Sequence, residues 1–290
     1  MVRRALPAIL LAVVLLNSAC IVRRWRVQRK NQPQTVQLAS ATLDELLTRL
    51  RTWDQQIKTI NATVDMEPSL GSVNKGEIAE YKDVRAFVMI RKPAMFRMIG
   101  LYPVVRNRAF DMVTDGAEFK IYFPARNKLV TGANRVEKPS AKKLENIRPQ
   151  HIFEALVVRP PEDGESPVLE NRTDEDEANY IVHILRRRGD ALFLARSLSF
   201  DRVNLRLVRQ VIFDERGDIV TDARYEDYKN DGGVSFPHRF VISRPKDEYG
   251  VRLSIQKVDL NKLLDDSKFA LEAPPGTEVV HVREDEKQNP

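Results

Sequence analysis

The 290-residue chain predicts a mainly-β fold with a few helices, built on one long antiparallel sheet over residues 40–280. Three observations carry that prediction. From Asn61 the residues alternate with period two, Ala62, Val64 and Met66 opposite Asn61, Thr63 and Asp65. The second half repeats β-rich runs separated by short turn-forming stretches. Only one segment, residues 42–58, keeps a long helical period, so few helices are available to cover the sheet.

That helix opens on Thr42 and Glu45, which have the spacing of a capping box. Leu43, Leu46, Leu47, Leu50, Trp53 and Ile57 follow as one apolar stripe, with Trp53 read as a core anchor. Gly76–Arg91, Met95–Leu101 and Val104–Val113 read as strands, broken at Pro93 and Pro103. Asp115-Gly116 marks a tight turn before strands at Phe119–Phe123 and Lys128–Thr131. Ser140 caps a short predicted helix that Pro149 ends, and Ile152, Phe153, Leu156 and Val157 suggest a further helical turn or two. Residues 159–179 hold three prolines and eight acids and read as a solvated loop, without the alternating spacing and glycine of a calcium loop. Six strands follow, from Tyr180 to Leu260. In the last, the apolar face switches from odd positions (Val251, Leu253, Ile255) to even ones (Val258, Leu260), which a bulge near Gln256-Lys257 reconciles.

The net charge of +6 first suggests a nucleic-acid or membrane partner. Its distribution decides between them. Seven of the 47 basic groups lie in residues 1–30, where there is no acid; the other 40 face 41 acids. The folded body is therefore neutral, and no nucleic-acid partner is expected.

Residues 1–19 read as a signal peptide: Arg3 and Arg4, an apolar run from Ala5 to Leu16 too short to span a bilayer, then small residues. Ser18-Ala19-Cys20 resembles the lipobox of bacterial lipoproteins, with Asn17 where the family prefers leucine. Cys20, the only cysteine, is then the lipid-anchor site, and no intramolecular disulfide can form. Arg23, Arg24, Arg26, Arg29 and Lys30 add affinity for anionic headgroups, so the expected partner is a membrane. Ile21 lacks the Asp that resembles an inner-membrane retention signal, which points to the outer membrane with the domain facing the periplasm. Residues 20–40 form the tether, 41–280 the domain and 281–290 a polar tail.

There is no nucleophile elbow, phosphate-binding loop or zinc-hydrolase motif, and His183 and His238 read as structural strand residues. The expectation is a non-enzyme with no cofactor, no metal and a monomeric state. A cluster of soft apolar residues stands out: Phe87, Met89, Phe96, Met98, Phe110 and Met112, with Met95 and Ile99 among them. Such residues adapt to irregular apolar shapes. On the residues alone they read first as core under the amphipathic helix, and second as the wall of an acyl-chain cavity.

The order of motifs bears on that choice. Lys92-Pro93, Phe96-Arg97, Asp115-Gly116 and Tyr122-x-Pro124, then Phe236-Pro237, Leu253-x-Ile255-x-x-Val258-x-Leu260-Asn261, Asp265, Phe269 and Pro275-Gly276, resemble the LolA/LolB-like lipoprotein-carrier superfamily over most of residues 42–280. The acidic stretch 159–179 and the long second strand depart from its pattern. The resemblance implies an incomplete antiparallel β-barrel, a half-barrel covered by a few helices, whose apolar interior binds the acyl chains of lipids or lipoproteins. It implies a role in lipoprotein sorting to the outer membrane, the anchored chain resembling the receptor type; envelope regulatory sensors acting through protein contacts share the fold. Lipid contact is then expected at Phe87, Met89, Phe96, Met98, Phe110 and Met112. Arg97, matching the family's strand arginine, either gates the cavity or is an exposed strand charge.

Overall fold

The computed structural model describes residues 37–72, 77–80, 84–134, 147–174 and 177–282. The signal peptide, Cys20, nearly all of the tether, most of the helix expected after Ser140 and most of the polar tail lie outside them. Helix α1 spans Leu43–Gln56, and the expected capping box is formed: Glu45 N–H donates to Thr42 Oγ1, and the Glu45 carboxylate accepts from Thr42 N–H. Its stripe buries Leu46, Leu47 and Leu50.

The strands are β1 (Thr59–Ser72), β2 (Glu77–Glu80), β3 (Val84–Arg91), β4 (Met95–Leu101), β5 (Arg108–Thr114), β6 (Glu118–Phe123), β7 (Lys128–Ala133), β8 (Glu165–Thr173), β9 (Ala178–Arg188), β10 (Ala191–Asp201), β11 (Leu207–Phe213), β12 (Ile219–Asp231), β13 (Val234–Arg244), β14 (Tyr249–Leu260) and β15 (Glu278–Val282). A second helix, α2, spans Pro149–Leu156, with Pro149 in its first turn. The order across the sheet is β15-β7-β6-β5-β4-β3-β1-β14-β13-β12-β11-β10-β9-β8, with β2 added beside β1. Every pairing is antiparallel except β15 on β7. The two edges do not pair, so the sheet is an open half-barrel, as the sequence resemblance implied.

The switch of apolar face in β14 is resolved at the expected place. Thr63 pairs with Lys257 and Val64 with Ile255, leaving Gln256 as the extra residue. Asp115-Gly116 turns between β5 and β6, with Gly116 at φ +93°.

Two expectations are corrected. Val104 and Val105 are not in a strand; Tyr102–Asn107 is the β4–β5 turn, because Tyr102 N–H closes on Asn107 O and Pro103 cannot donate to a ladder. The acidic stretch is not all loop, for β8 runs through it as an edge strand on β9. An edge tolerates Pro167. Several of the described acids there have partners. The Glu165 carboxylate, 2% exposed, pairs with Arg196 at 2.8 Å and Arg186 at 2.6 Å.

The core lies on the inner face. α1 covers it with its leucines, and α2 inserts Ile152, Phe153, Ala155 and Leu156. α2 touches β4 and β5 on one side and β12 and β13 on the other, so it bridges the two halves of the sheet. Its last turn is held by side chains: Gln210 Nε2 donates to Glu154 O at 3.0 Å and Tyr225 Oη to Ala155 O at 2.9 Å. These satisfy two carbonyls that the helix end leaves free. The outer face of β4–β7 is covered by residues 262–277, which bury Leu264, Phe269 and Leu271 before β15 joins the sheet.

Candidate functional site

Strand register sorts the expected lipid-binding residues onto two faces. On the inner face Ile60 pairs with Ile90 and Ile90 with Phe96; Ala62 pairs with Val88, Val88 with Met98 and Met98 with Met112. Phe96, Met98 and Met112 are buried here, and Phe110 flanks them, its ring lying over Gly100. Phe119 and Ile121 of β6 continue the patch. Phe87, Met89 and Arg97 occupy alternate positions and face outward; Phe87 is 40% exposed. The structure thus brings four of the seven residues together against α2 and separates three.

Arg97 points away from the interior. Its Nε and Nη2 donate to Asp111 at 2.9 and 2.7 Å, and Nη1 donates to Lys268 O at 2.9 Å and Ala270 O at 3.1 Å. Asp111 is fully buried and also pairs with Arg108 at 3.0 Å. The arginine therefore clamps the segment 262–277 onto the outer face. Arg91 does likewise through Leu264 O and Asp266.

The inner face is tightly packed where β1, β3, β13 and β14 meet α2. Between Ile60, Val88, Leu156, Phe236 and Leu253 only ≈ 10 Å³ remains. Leu156 of α2 closes it against the strands. At one end of that helix His151 Nε2 accepts from Arg244 Nη2 at 3.1 Å, so Nδ1 carries the proton toward Tyr249 Oη at 2.9 Å. Burial, with Arg244 and Arg148 nearby, holds the His151 pKa well below its ordinary value. Sequence reasoning missed this cluster, because His151 lies 93 and 98 residues from Arg244 and Tyr249.

His183 is not isolated in its strand. Its Nδ1 meets Ser197 Oγ at 2.9 Å and its Nε2 meets Glu170 at 2.7 Å, on the outer face of β8–β10. Ser197 sits mid-strand between two paired neighbours, where the ladder takes the backbone N–H groups an oxyanion would need. His238 bonds to Asp231 at 2.8 Å. Among the described residues no group of three or more His, Cys, Asp or Glu could hold a metal, and no helix is long and apolar enough to cross a membrane.

A second feature is the β4–β5 turn. Val104 is 91% exposed and Val105 64%, with Tyr102 beside them and Arg106 and Arg108 following. Tyr102, Val104 and Val105 thus form a small exposed apolar tip.

No family model and no curated relative matches the chain. Solved structures do match. A LolA superfamily protein from Nitrosomonas europaea aligns at 15% identity and a TM-score of 0.51, covering 80% of this chain and 99% of that one. A DUF1329 family protein from Desulfovibrio piger aligns at 13% and 0.51, covering 78% and 94%. An outer membrane lipoprotein-sorting protein domain from Vibrio parahaemolyticus aligns at 12% and 0.50, with the same coverage. The chain has a LolA-like fold.

Proposed function

We propose that this protein is an envelope lipoprotein, anchored through Cys20, that binds acyl chains on the inner face of its half-barrel during lipoprotein sorting to the outer membrane. The observation that carries the reading is the continuous apolar face from β1 to β6, stoppered by a helix of eight residues. A helix that short is stable only through packing. An acyl chain offers the inner face the same contacts that Ile152, Phe153 and Leu156 make, so lipid and helix compete for one surface.

Two further features support it. The basic groups that follow Cys20 suit an anionic leaflet. The exposed Tyr102–Val105 tip with its two arginines has the composition of a segment that enters a membrane interface. From Cys20 to Leu38 the chain reaches roughly 60 Å when extended, long enough for the domain to turn that tip to the membrane. The protein acts as a monomer and is not an enzyme in this reading.

Depletion tests the role: other lipoproteins should accumulate in the inner membrane, and unchanged sorting would overturn it. Metabolic labelling with a palmitate analogue tests the anchor. Label should be present and absent from Cys20→Ser; label that persists in the variant rules the anchor out.

A further inference from the structure

His151 sits in the first turn of α2 and is bonded to both strands beyond that end of the helix. Arg244, the last residue of β13, is itself held still. It is 3% exposed and donates from Nε to Asp247 at 2.7 Å and from Nη1 to Thr221 Oγ1 at 2.8 Å. Its remaining arm, Nη2, is the one that donates to His151 Nε2. On the other side the imidazole stacks 6.5 Å from the ring of Tyr249, the first residue of β14, and Nδ1 meets the Tyr249 hydroxyl.

A second proton on this imidazole has no acceptor. Nε2–H would point at an N–H of Arg244 across 3.1 Å, and the new cation would face a guanidinium that Asp247 and Thr221 keep in place. Arg148, just before α2, adds a further positive charge nearby. The acids close by are committed: Asp247 to Arg244, and Glu154, one turn along α2, to the amide of Gln150 at 2.9 Å. Among the described residues no carboxylate pairs with His151. The ring takes up its second proton by leaving the site.

Leaving the site moves the helix. α2 has eight residues and no side-chain cap at its start. The bonds of His151 tie its first turn to β13 and β14, as Gln210 and Tyr225 tie its last. A helix this short keeps its conformation only through such contacts.

We propose that α2 is a pH-gated cover: protonation of His151 breaks its bond to Arg244 and releases the helix, with Ile152, Phe153 and Leu156, from the inner face of the sheet. The use of this gate to admit acyl chains rests on the function proposed above; the release itself does not. The released ring titrates near the ordinary 6.5 and the docked ring well below it. The open state therefore binds the extra proton, and the opening constant should rise about 25-fold from pH 7 to pH 5.

Hydrogen exchange of the full chain, read by mass spectrometry and corrected for the intrinsic pH dependence of amide exchange, tests this in the unaltered protein. Amides of residues 153–157 should exchange before those of β1 and β13 at both pH values, and their protection should fall about 25-fold between pH 7 and pH 5. His151→Gln keeps an acceptor for Arg244 and a donor for Tyr249, so the helix should stay docked and lose that pH dependence. N-phenyl-1-naphthylamine, an apolar probe uncharged at both pH values, should bind the unaltered protein more tightly at pH 5 and His151→Gln equally at both. Helix protection that is constant with pH, that falls equally in His151→Gln, or that matches β1 and β13 throughout overturns the gate. Release of α2 with no binding of the probe supports the gate and overturns the acyl-chain reading. Probe binding that ignores pH, beside a helix that stays docked, overturns the gate and leaves that reading intact.

Discussion

Arg97→Met should loosen the C-terminal segment without affecting acyl-chain uptake. The substitution removes two bonds to Asp111 and two to the carbonyls of Lys268 and Ala270. Asp111 is 0% exposed, and only Arg108, 46% exposed, still faces it. Breaking a buried ion pair from one side costs about 3–5 kcal/mol, because the remaining charge stays buried. Arg108 keeps the value near the low end, about 3 kcal/mol. For a domain of this size that lowers the melting temperature by roughly 6–12 °C. Urea unfolding of the full chain, followed by circular dichroism, measures it. Arg97→Lys should recover less than half, since an ammonium cannot serve both carboxylate oxygens in a fork. A loss below about 1 kcal/mol for Arg97→Met would refute the clamp. Lost lipid uptake at unchanged stability would instead restore Arg97 to the interior.

Other outcomes follow from the same structure. Burial pushes the Glu165 carboxyl up, but the Glu162 N–H, Arg186 and Arg196 outweigh it and hold it at about 2; its share of stability is present above pH 4.5 and is lost as pH falls toward 2, and Glu165→Gln should cost about 3 kcal/mol at pH 7 and flatten that limb. His151 is held neutral, so the unfolded chain binds the extra proton and stability should decline as pH falls below about 6.5, where its unfolded form titrates; His151→Gln should remove that slope in melts between pH 7 and 5, and an unchanged slope assigns it to other groups. A Cβ at Gly100 would lie 2.2 Å from the Phe110 ring, so Gly100→Ala should cost about 1–3 kcal/mol, and a double-mutant cycle with Phe110→Ala should show most of it as coupling; additive costs would exclude the contact. Thr42→Ala should cost about 1 kcal/mol through the lost cap of α1, read by the same urea titration.

The sheet was legible because its signals are local. Period two marks β1, and the odd-to-even switch in β14 required a bulge that occurs at Gln256. The α1 start was written in Thr42 and Glu45. What escaped was long-range. The alternation in β3 and β4 shows that Phe87 and Phe96 lie on opposite faces of a hairpin, but that emerges only once Ile90 is known to pair with Phe96. β8 was hidden by its acids, since Glu165 is buried only because Arg186 and Arg196 arrive from β9 and β10. β15 pairs with β7 across more than a hundred residues, and nothing local announces that partner. The role of Arg97 depends on carbonyls at 268 and 270, far along the chain, so a strand arginine read alone could as well be a gate.

The central claim is that acyl chains occupy the surface that α2 covers. Photo-cross-linking of the full chain with a diazirine fatty acid, followed by peptide mapping, tests it most directly. Adducts should fall on inner-face positions such as Phe96, Met98, Met112 and Phe119, and on Ile152 or Leu156 of the displaced helix. Adducts confined to Phe87, Met89 and other outward residues, or none at all at saturating probe, would contradict it.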